Sequence, residues 1–307
     1  PSLAQMPARC RIMTEPLGVV LIMAPWNYPV PLSLSPLVAA LAAGNCAVIK
    51  PSAYAPHVSP ALADSVSACF DPTLVAVVQG GRAENIGLLQ QRYDHIFFTG
   101  STTVGKVVME AASKHLCPVT MELGGKSPVI VDPSADVAQA AKRIVFGKII
   151  NAGQTCIAPD YVMVHRSLHD ALVKELSCEI ARALGVDPLA NGDYPKIVNQ
   201  HRFEHLVELM NDSTILHGGK SSGLKIEPTV VSCTADHPLM QEEIFGPILP
   251  VFSYADLDQV IEEINLRDKP LVVYHFSEDS KIVDKVQSST SSGAYVVNDT
   301  VCQMLNS

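Results

Sequence analysis

Short β-branched runs alternate with helix-forming stretches through the first 125 residues, and this alternation limits the possible folds more than any other feature. The runs are GVVLIMA (18–24), CAVIK (46–50), LVAVVQ (74–79), HIFFT (95–99) and PVTME (118–122). Between them lie PLVAALAAG (36–44), VSPALADSVSACF (58–70), RAENIGLLQQR (82–92) and GKVVMEAASKH (105–115). Strand and helix in repeated alternation predict a parallel sheet covered by helices. Helices on both faces explain why the runs are continuously apolar rather than alternating.

Right-handed crossovers make the first 124 residues a Rossmann-like layer. After ELGGKSP the rhythm restarts. Strands are predicted at 129–132, 161–165, 271–276 and 294–298, and helices at 135–150, 168–184, 200–210, 256–265 and 279–288. Gly124 and Gly125 fall between the two blocks as a hinge. The expected organisation is a cofactor-type layer over 1–124, a second α/β domain over 125–299, and the start of a return segment over 300–307. The stretch 185–250 gives no clear pattern.

Composition removes several classes of function. Net charge is −9, with 22 basic against 31 acidic residues, and no basic run provides a nucleic-acid or anionic-membrane surface. The most apolar stretch, 17–50, is broken by Pro25, Pro29, Pro31 and Pro36, so it does not read as a bilayer span. Eight cysteines are scattered without a CxxC pair, which argues against a zinc site or disulfide framework and for a reducing compartment. The expected location is the cytoplasm.

The candidate chemistry lies in short motifs. HIFFTGSTTVGK sets Gly100 after a strand and Gly105 one turn into the next helix, with Ser101 or Thr102 able to cap it. Such a helix start suits an anion, although an ordinary capped helix reads the same way. VIKPSAY puts Lys50 at a strand's carboxyl end, where ligands of open sheets collect; most strand-end lysines simply face solvent. In APWNYP two prolines stiffen the turn around Asn27, a held carboxamide or a structural Asx turn. TMELGG ends a strand on Glu122 among apolar residues and glycines, where partial desolvation makes a general base and a salt bridge is the commoner alternative. MQEEIFGP carries Glu243 and Phe245, either a solvated acidic loop or a ribose ligand beside a packing ring.

NAGQTCIAPDYV holds Cys156. A cysteine is most often buried and inert, but its small polar neighbours suit a thiol that must be reached.

Together, APWNYP, KPS, FTGSTTVGK, MELGGKSP, NAGQTC, QEEIFGP and TSSG occur in the order found in aldehyde dehydrogenases. The resemblance runs from about Glu15 to Asp299. It is nearest to the class 3 group of fatty and aromatic aldehyde dehydrogenases. It implies that Cys156 is the nucleophile, that Asn27 and the Cys156 N–H hold the oxyanion, and that Glu122 activates water. It further implies NAD or NADP as cofactor, with Lys50 at the adenosine ribose, Gly100, Ser101 and Gly105 near the pyrophosphate, and Glu243 with Phe245 at the nicotinamide ribose. The implied substrate is a hydrophobic aldehyde, aliphatic or aromatic, and no metal is implied.

The chain departs from the pattern in three places. Ala53 stands where many class 3 members carry the glutamate of K-P-S-E, which predicts real use of NADP. The sequence starts close to the first strand, where the resemblance leads one to expect preceding helices, and it stops at NDTVCQMLNS, before the expected glycine- and phenylalanine-rich segment and terminal strands. A homodimer is expected where those flanks are present. Two other functions fit the residues: a catalytically silent nucleotide-binding or assembly protein, and a cofactor-free cysteine hydrolase using Cys156 and Glu122. The second lacks a histidine in any motif for the usual Cys–His pairing.

Overall fold

The computed structural model of the chain describes residues 6–305. They divide into two compact units, meeting between Glu122 and Leu123. The α/β class with two sheets agrees with the sequence expectation.

In the first unit the strands are β1 (Val19–Met23), β2 (Cys46–Lys50), β3 (Val75–Val77), β4 (His95–Gly100) and β5 (Val119–Leu123). The helices between them are α1 (Pro29–Ala42), α2 (Val58–Cys69), α3 (Arg82–Leu89) and α4 (Thr102–Ser113). The sheet order is β3-β2-β1-β4-β5, with β1 parallel to both β2 and β4. Val20, Ile22, Ala47 and Ile49 pack against Leu37, Leu62 and Val66 of α1 and α2. Helix α1 starts seven residues earlier than its apolar stretch suggests, despite Pro29 and Pro31. Both prolines lie in the first turn, where an N–H has no intrahelical partner anyway.

In the second unit the strands are β6 (Pro128–Val131), β7 (Tyr161–His165), β8 (Thr214–His217), β9 (Ser221–Ser222), β10 (Lys225–Ile226), β11 (Thr229–Ser232), β12 (Ile248–Tyr254), β13 (Val272–Phe276) and β14 (Ala294–Val297). The helices are α5 (Val137–Ile149), α6 (His169–Leu184), α7 (Gln200–Leu209), α8 (Pro238–Gln241), α9 (Leu257–Asn265) and α10 (Ser280–Ser289). Seven strands form one sheet ordered β14-β13-β6-β7-β12-β11-β8; β9 and β10 make a separate hairpin. Strand parity sorts the core. Val129, Val131, Val162, Val164 and Tyr274 face α5 and α6, whereas Ile130, Tyr161, Met163 and Val273 face α9 and α10. Each fully buried leucine of α6, Leu172 and Leu176, contributes about 1.5–3 kcal/mol.

Strand β12 explains part of the unreadable middle. Pro250 interrupts it in sequence, and a proline argues against a central strand. The strand pairs with β11 through residue 250 and with β7 from residue 251, so the proline falls where the partner changes. The return segment contributes one 3-10 turn, Cys302–Leu305; residues 306–307 lie outside the described residues.

Candidate active site

In the first unit the strand order reverses between β1 and β4. Helices on either side of such a switch point diverge, leaving a crevice at the strands' carboxyl ends. The APWNYP turn, with half-buried Asn27, follows β1 there, and Gly100 ends β4. Ser101 caps α4 by accepting from the Val104 N–H at 3.4 Å, and Gly105 is buried inside the helix. A Cβ on Gly100 would strike the Phe98 ring, so backbone here approaches closely only without a side chain.

Lys50 ends β2 and, contrary to the usual solvent-facing strand end, is 3% exposed. Its Nζ donates to the Pro51 carbonyl at 2.8 Å. Burial pushes its pKa down, and the Glu84 carboxylate pulls it back up. A buried ammonium beside a switch point, with a capped helix start and an open backbone at β4, fits a dinucleotide's phosphates and ribose. Glu122 does not match its expected desolvation. It is exposed on β5, an edge strand with one side uncovered.

In the second unit, Cys156 follows α5 through an unusual backbone. Asn151 (φ 49°, ψ 30°), Ala152 (φ 52°, ψ 37°) and Gly153 (φ 72°) are all left-handed in succession. For a residue with a Cβ this region costs about 1–2 kcal/mol. Gly153 admits no Cβ, which would collide with the Gly246 carbonyl oxygen. The chain then turns around Cys156, closed by the Ala158 N–H donating to Thr155 O at 2.9 Å. Cys156 is half-buried at the edge of the core. Its polar neighbours do not make it accessible, as their type suggests. Gln154 and Thr155 are 1% and 2% exposed, and they face inward.

The loop carrying Glu243 and Phe245 is not a solvated acidic loop. Glu242 is exposed and pairs with His205, but Glu243 turns inward. Its carboxylate accepts from the Gly125 N–H and occupies the space a Cβ on Gly124 would need. Burial, aided by repulsion from Asp160, pushes its pKa up to about 8. Phe245 is half-buried with φ 45°.

Two lysines secure this region, and sequence reasoning singled out neither. Lys126 pairs with Asp160 at 2.5 Å and donates to the Leu239 and Glu242 carbonyls at 2.8 Å each. Asp160 in turn accepts from the Ile244 N–H at 3.0 Å. Lys148 is 3% exposed and donates to the Pro159 carbonyl at 2.9 Å; burial lowers its pKa to about 8 against the pull of Asp160. The only sequence signal for Lys148 is its place within the apolar run IVFGKII.

Thus Cys156, Glu243 and Phe245 lie on two touching loops of the second unit, joined at Gly153 and Gly246. Asn27, Lys50, Gly100, Ser101, Gly105 and Glu122 belong to the first. Among the described residues no cluster of three His, Cys, Asp or Glu could hold a metal, and no helix is long and apolar enough to cross a membrane.

Comparison with known proteins carries the matter further. The chain is 48% identical over 296 residues to aldehyde dehydrogenase family 3 member B1 of Homo sapiens, covering 95% of this chain and 63% of that protein. It is 44% identical over 293 residues to the dimeric NADP-preferring aldehyde dehydrogenase of Rattus norvegicus, covering 94% and 65%. The solved substrate-bound state of Staphylococcus aureus AldH superposes with a TM-score of 0.92 at 45% identity, over 94% of this chain and 64% of that one. The chain therefore spans just under two thirds of the length of these relatives. The family model described as "Aldehyde dehydrogenase family" matches residues 2–306, almost the whole chain, so the chain belongs to the aldehyde dehydrogenase family.

Proposed function

We propose that this chain carries the cofactor-binding and catalytic parts of an enzyme oxidising an aldehyde to its carboxylic acid with NAD(P)+ and water. The observation that carries this reading is the Cys156 loop: a half-buried thiol on a turn reached through three left-handed residues. Inert core cysteines do not need such backbone.

In this reading the Cys156 sulfur adds to the carbonyl carbon, and the carbonyl oxygen gains negative charge. The Asn27 carboxamide and the Cys156 N–H donate to that oxygen. A bound nicotinamide dinucleotide supplies the hydride acceptor. Glu122 takes a proton from the water that attacks the resulting thioester; the C–S bond breaks, and the acid leaves. Exposure of Glu122 suits proton exchange with solvent. The first unit holds the cofactor, with Lys50 at the adenosine ribose and Gly100, Ser101 and Gly105 around the pyrophosphate. Glu243 and Phe245 serve the nicotinamide ribose.

Cofactor choice follows from Ala53. Without a glutamate, a hydrogen bond to the ribose 2′-hydroxyl worth roughly 1.5–3 kcal/mol is lost. A repulsion against a 2′-phosphate is lost too, so NADP is used; the rat relative is named NADP-preferring. The substrate class is a hydrophobic aldehyde, medium- or long-chain or aromatic. Assembly is a homodimer where the flanking segments are present, as the rat relative is named dimeric; scattered cysteines without a CxxC pair support a reducing compartment, the cytoplasm.

The test is reduced-nicotinamide absorbance with a medium-chain or aromatic aldehyde and each cofactor. Turnover disappears in Cys156→Ala. Activity retained in that variant refutes the nucleophile, and a preference for NAD above about 100-fold (roughly 2.8 kcal/mol) refutes the cofactor argument.

A further inference from the structure

The nucleophile's backbone is gripped from both sides by side chains outside the reacting groups. On the amino-terminal side stands Gln154. Its Nε2 donates to the Asn151 carbonyl at 3.0 Å and to the Lys196 carbonyl at 3.1 Å. Its Oε1 accepts from the Val198 N–H at 3.0 Å. One side-chain amide thereby bonds residues 196–198 as a neighbouring strand would. The Asn151 Nδ2 returns a hydrogen bond to the Gln154 carbonyl at 3.2 Å, closing the left-handed bend on itself.

On the carboxyl-terminal side stands Tyr274, fully buried on β13. Its hydroxyl donates to the Ile157 carbonyl at 2.5 Å, one residue past the nucleophile. The same oxygen accepts from the Val301 N–H and the Gln303 Nε2, each at 3.2 Å. Burial pushes the phenol up to about 12, so it remains a donor across the working range of the protein. Between the two braces, the Thr155–Ala158 turn closes with the Ala158 N–H donating to the Thr155 carbonyl at 2.9 Å.

We infer that Gln154 and Tyr274 are positioning residues that fix the peptide on each side of Cys156, so that its N–H points at the oxygen of a carbonyl under attack by its own sulfur. This rests on the reading of Cys156 as nucleophile. Both act through the backbone they bond. The left-handed bend explains the need: two strained residues with a Cβ would relax if unbraced, and the relaxation would rotate the 155–156 peptide. Loss of the brace should spare the sulfur's reactivity as a thiolate and impair only reactions that build negative charge on a carbonyl oxygen.

Two reagents separate these. Iodoacetamide alkylates a thiolate by displacing iodide, with no oxyanion. With p-nitrophenyl acetate, the thiolate forms an S–C bond, the carbonyl oxygen passes through an oxyanion, and p-nitrophenolate leaves with the electrons of the broken C–O bond; the thiol proton goes to water. Both rates are read at Cys156 by peptide mass spectrometry, with exposed Cys10 as the ordinary thiol and half-buried Cys233, whose thiol burial pushes up, as reporter of core opening.

Tyr274→Phe and Gln154→Leu are each expected to lower acylation of Cys156 at least about tenfold. Alkylation stays within about threefold. Tyr274→Phe, which keeps the ring and removes only the hydroxyl, carries the test where Gln154→Leu does not fold. Equal change in both rates, or a reactive Cys233, means the residues serve only the fold and overturns the proposal, as does unchanged acylation. A wild-type Cys156 no faster than Cys10 with either reagent instead defeats the nucleophile reading itself.

Discussion

The two units present their candidate residues in opposite ways. In the first, Lys50, Gly100 and Ser101 sit at the ends of regular strands and helices, each held by little: one carbonyl for Lys50, one long cap bond for Ser101. In the second, Cys156, Glu243 and Phe245 sit on irregular backbone tied down by buried charges and side-chain amides. A dinucleotide is long and makes many contacts, so topology alone can build its berth. Attack at a single atom needs one peptide plane held within a fraction of an ångström, and regular elements do not supply that.

The sharpest way to break the comparison is to remove the cation of the second unit's Lys126–Asp160 ion pair. Lys126→Ala leaves Asp160, whose side chain is 4% exposed, without its ion-pair partner, and leaves two carbonyls without their donor. Breaking a buried pair from one side costs about 3–5 kcal/mol, and Lys148 nearby keeps the loss toward the lower end. Amide exchange should accelerate in residues 239–246 and 158–165 while the strands β1, β2 and β4 keep their protection. Equal loosening of those strands would show that the second unit's bracing is not local to its site.

The same contrast governs what the sequence discloses. Strand β7 at 161–165 and strand β2 at 46–50 coincide with their apolar runs, because residues buried on both faces leave a continuous signal. The predicted α9 and α10 each start one residue too early, at Asp256 and Asp279, which are the caps and visible in the sequence as such. The bracing was not legible. Gln154 reads as a polar neighbour that would make a thiol accessible, and only coordinates reveal its three partners 3, 42 and 44 residues away. Tyr274 reads as one more aromatic in LVVYHF. Long-range hydrogen bonds have no period, and buried lysines such as Lys148 carry no mark in one sequence. Glu122 misled in the other direction: its apolar neighbours are on an edge strand, where they do not cover it.

A gentler test uses pH. The carboxyl of Glu243 is raised from 4.5 to about 8 in the folded chain. Between those values the folded state holds a proton that the unfolded state has released, so this group's contribution to stability falls as pH rises through the window. The slope from one such group is at most about 1.4 kcal/mol per pH unit. Glu243→Gln removes it. The variant should melt close to wild type near pH 5 and progressively higher than wild type toward pH 8, with no further gain above that. A constant difference across the range would mean that Asp160 and burial do not act on Glu243 as the geometry implies.

The smallest effect compares one cap in each unit. Asp136 caps α5 with two bonds, from Ala138 N–H at 3.0 Å and Gln139 N–H at 3.1 Å. Ser101 caps α4 with one bond at 3.4 Å. Removing a good cap costs about 1 kcal/mol, and a poor one about half that. Asp136→Ala should therefore lower the melting temperature more than Ser101→Ala. The weak cap leaves the start of α4 under-satisfied, which is the condition for gripping an anion with backbone N–H groups. If Ser101→Ala proves as costly as Asp136→Ala, α4 is already fully capped by its own serine, and its start has nothing left to offer a pyrophosphate.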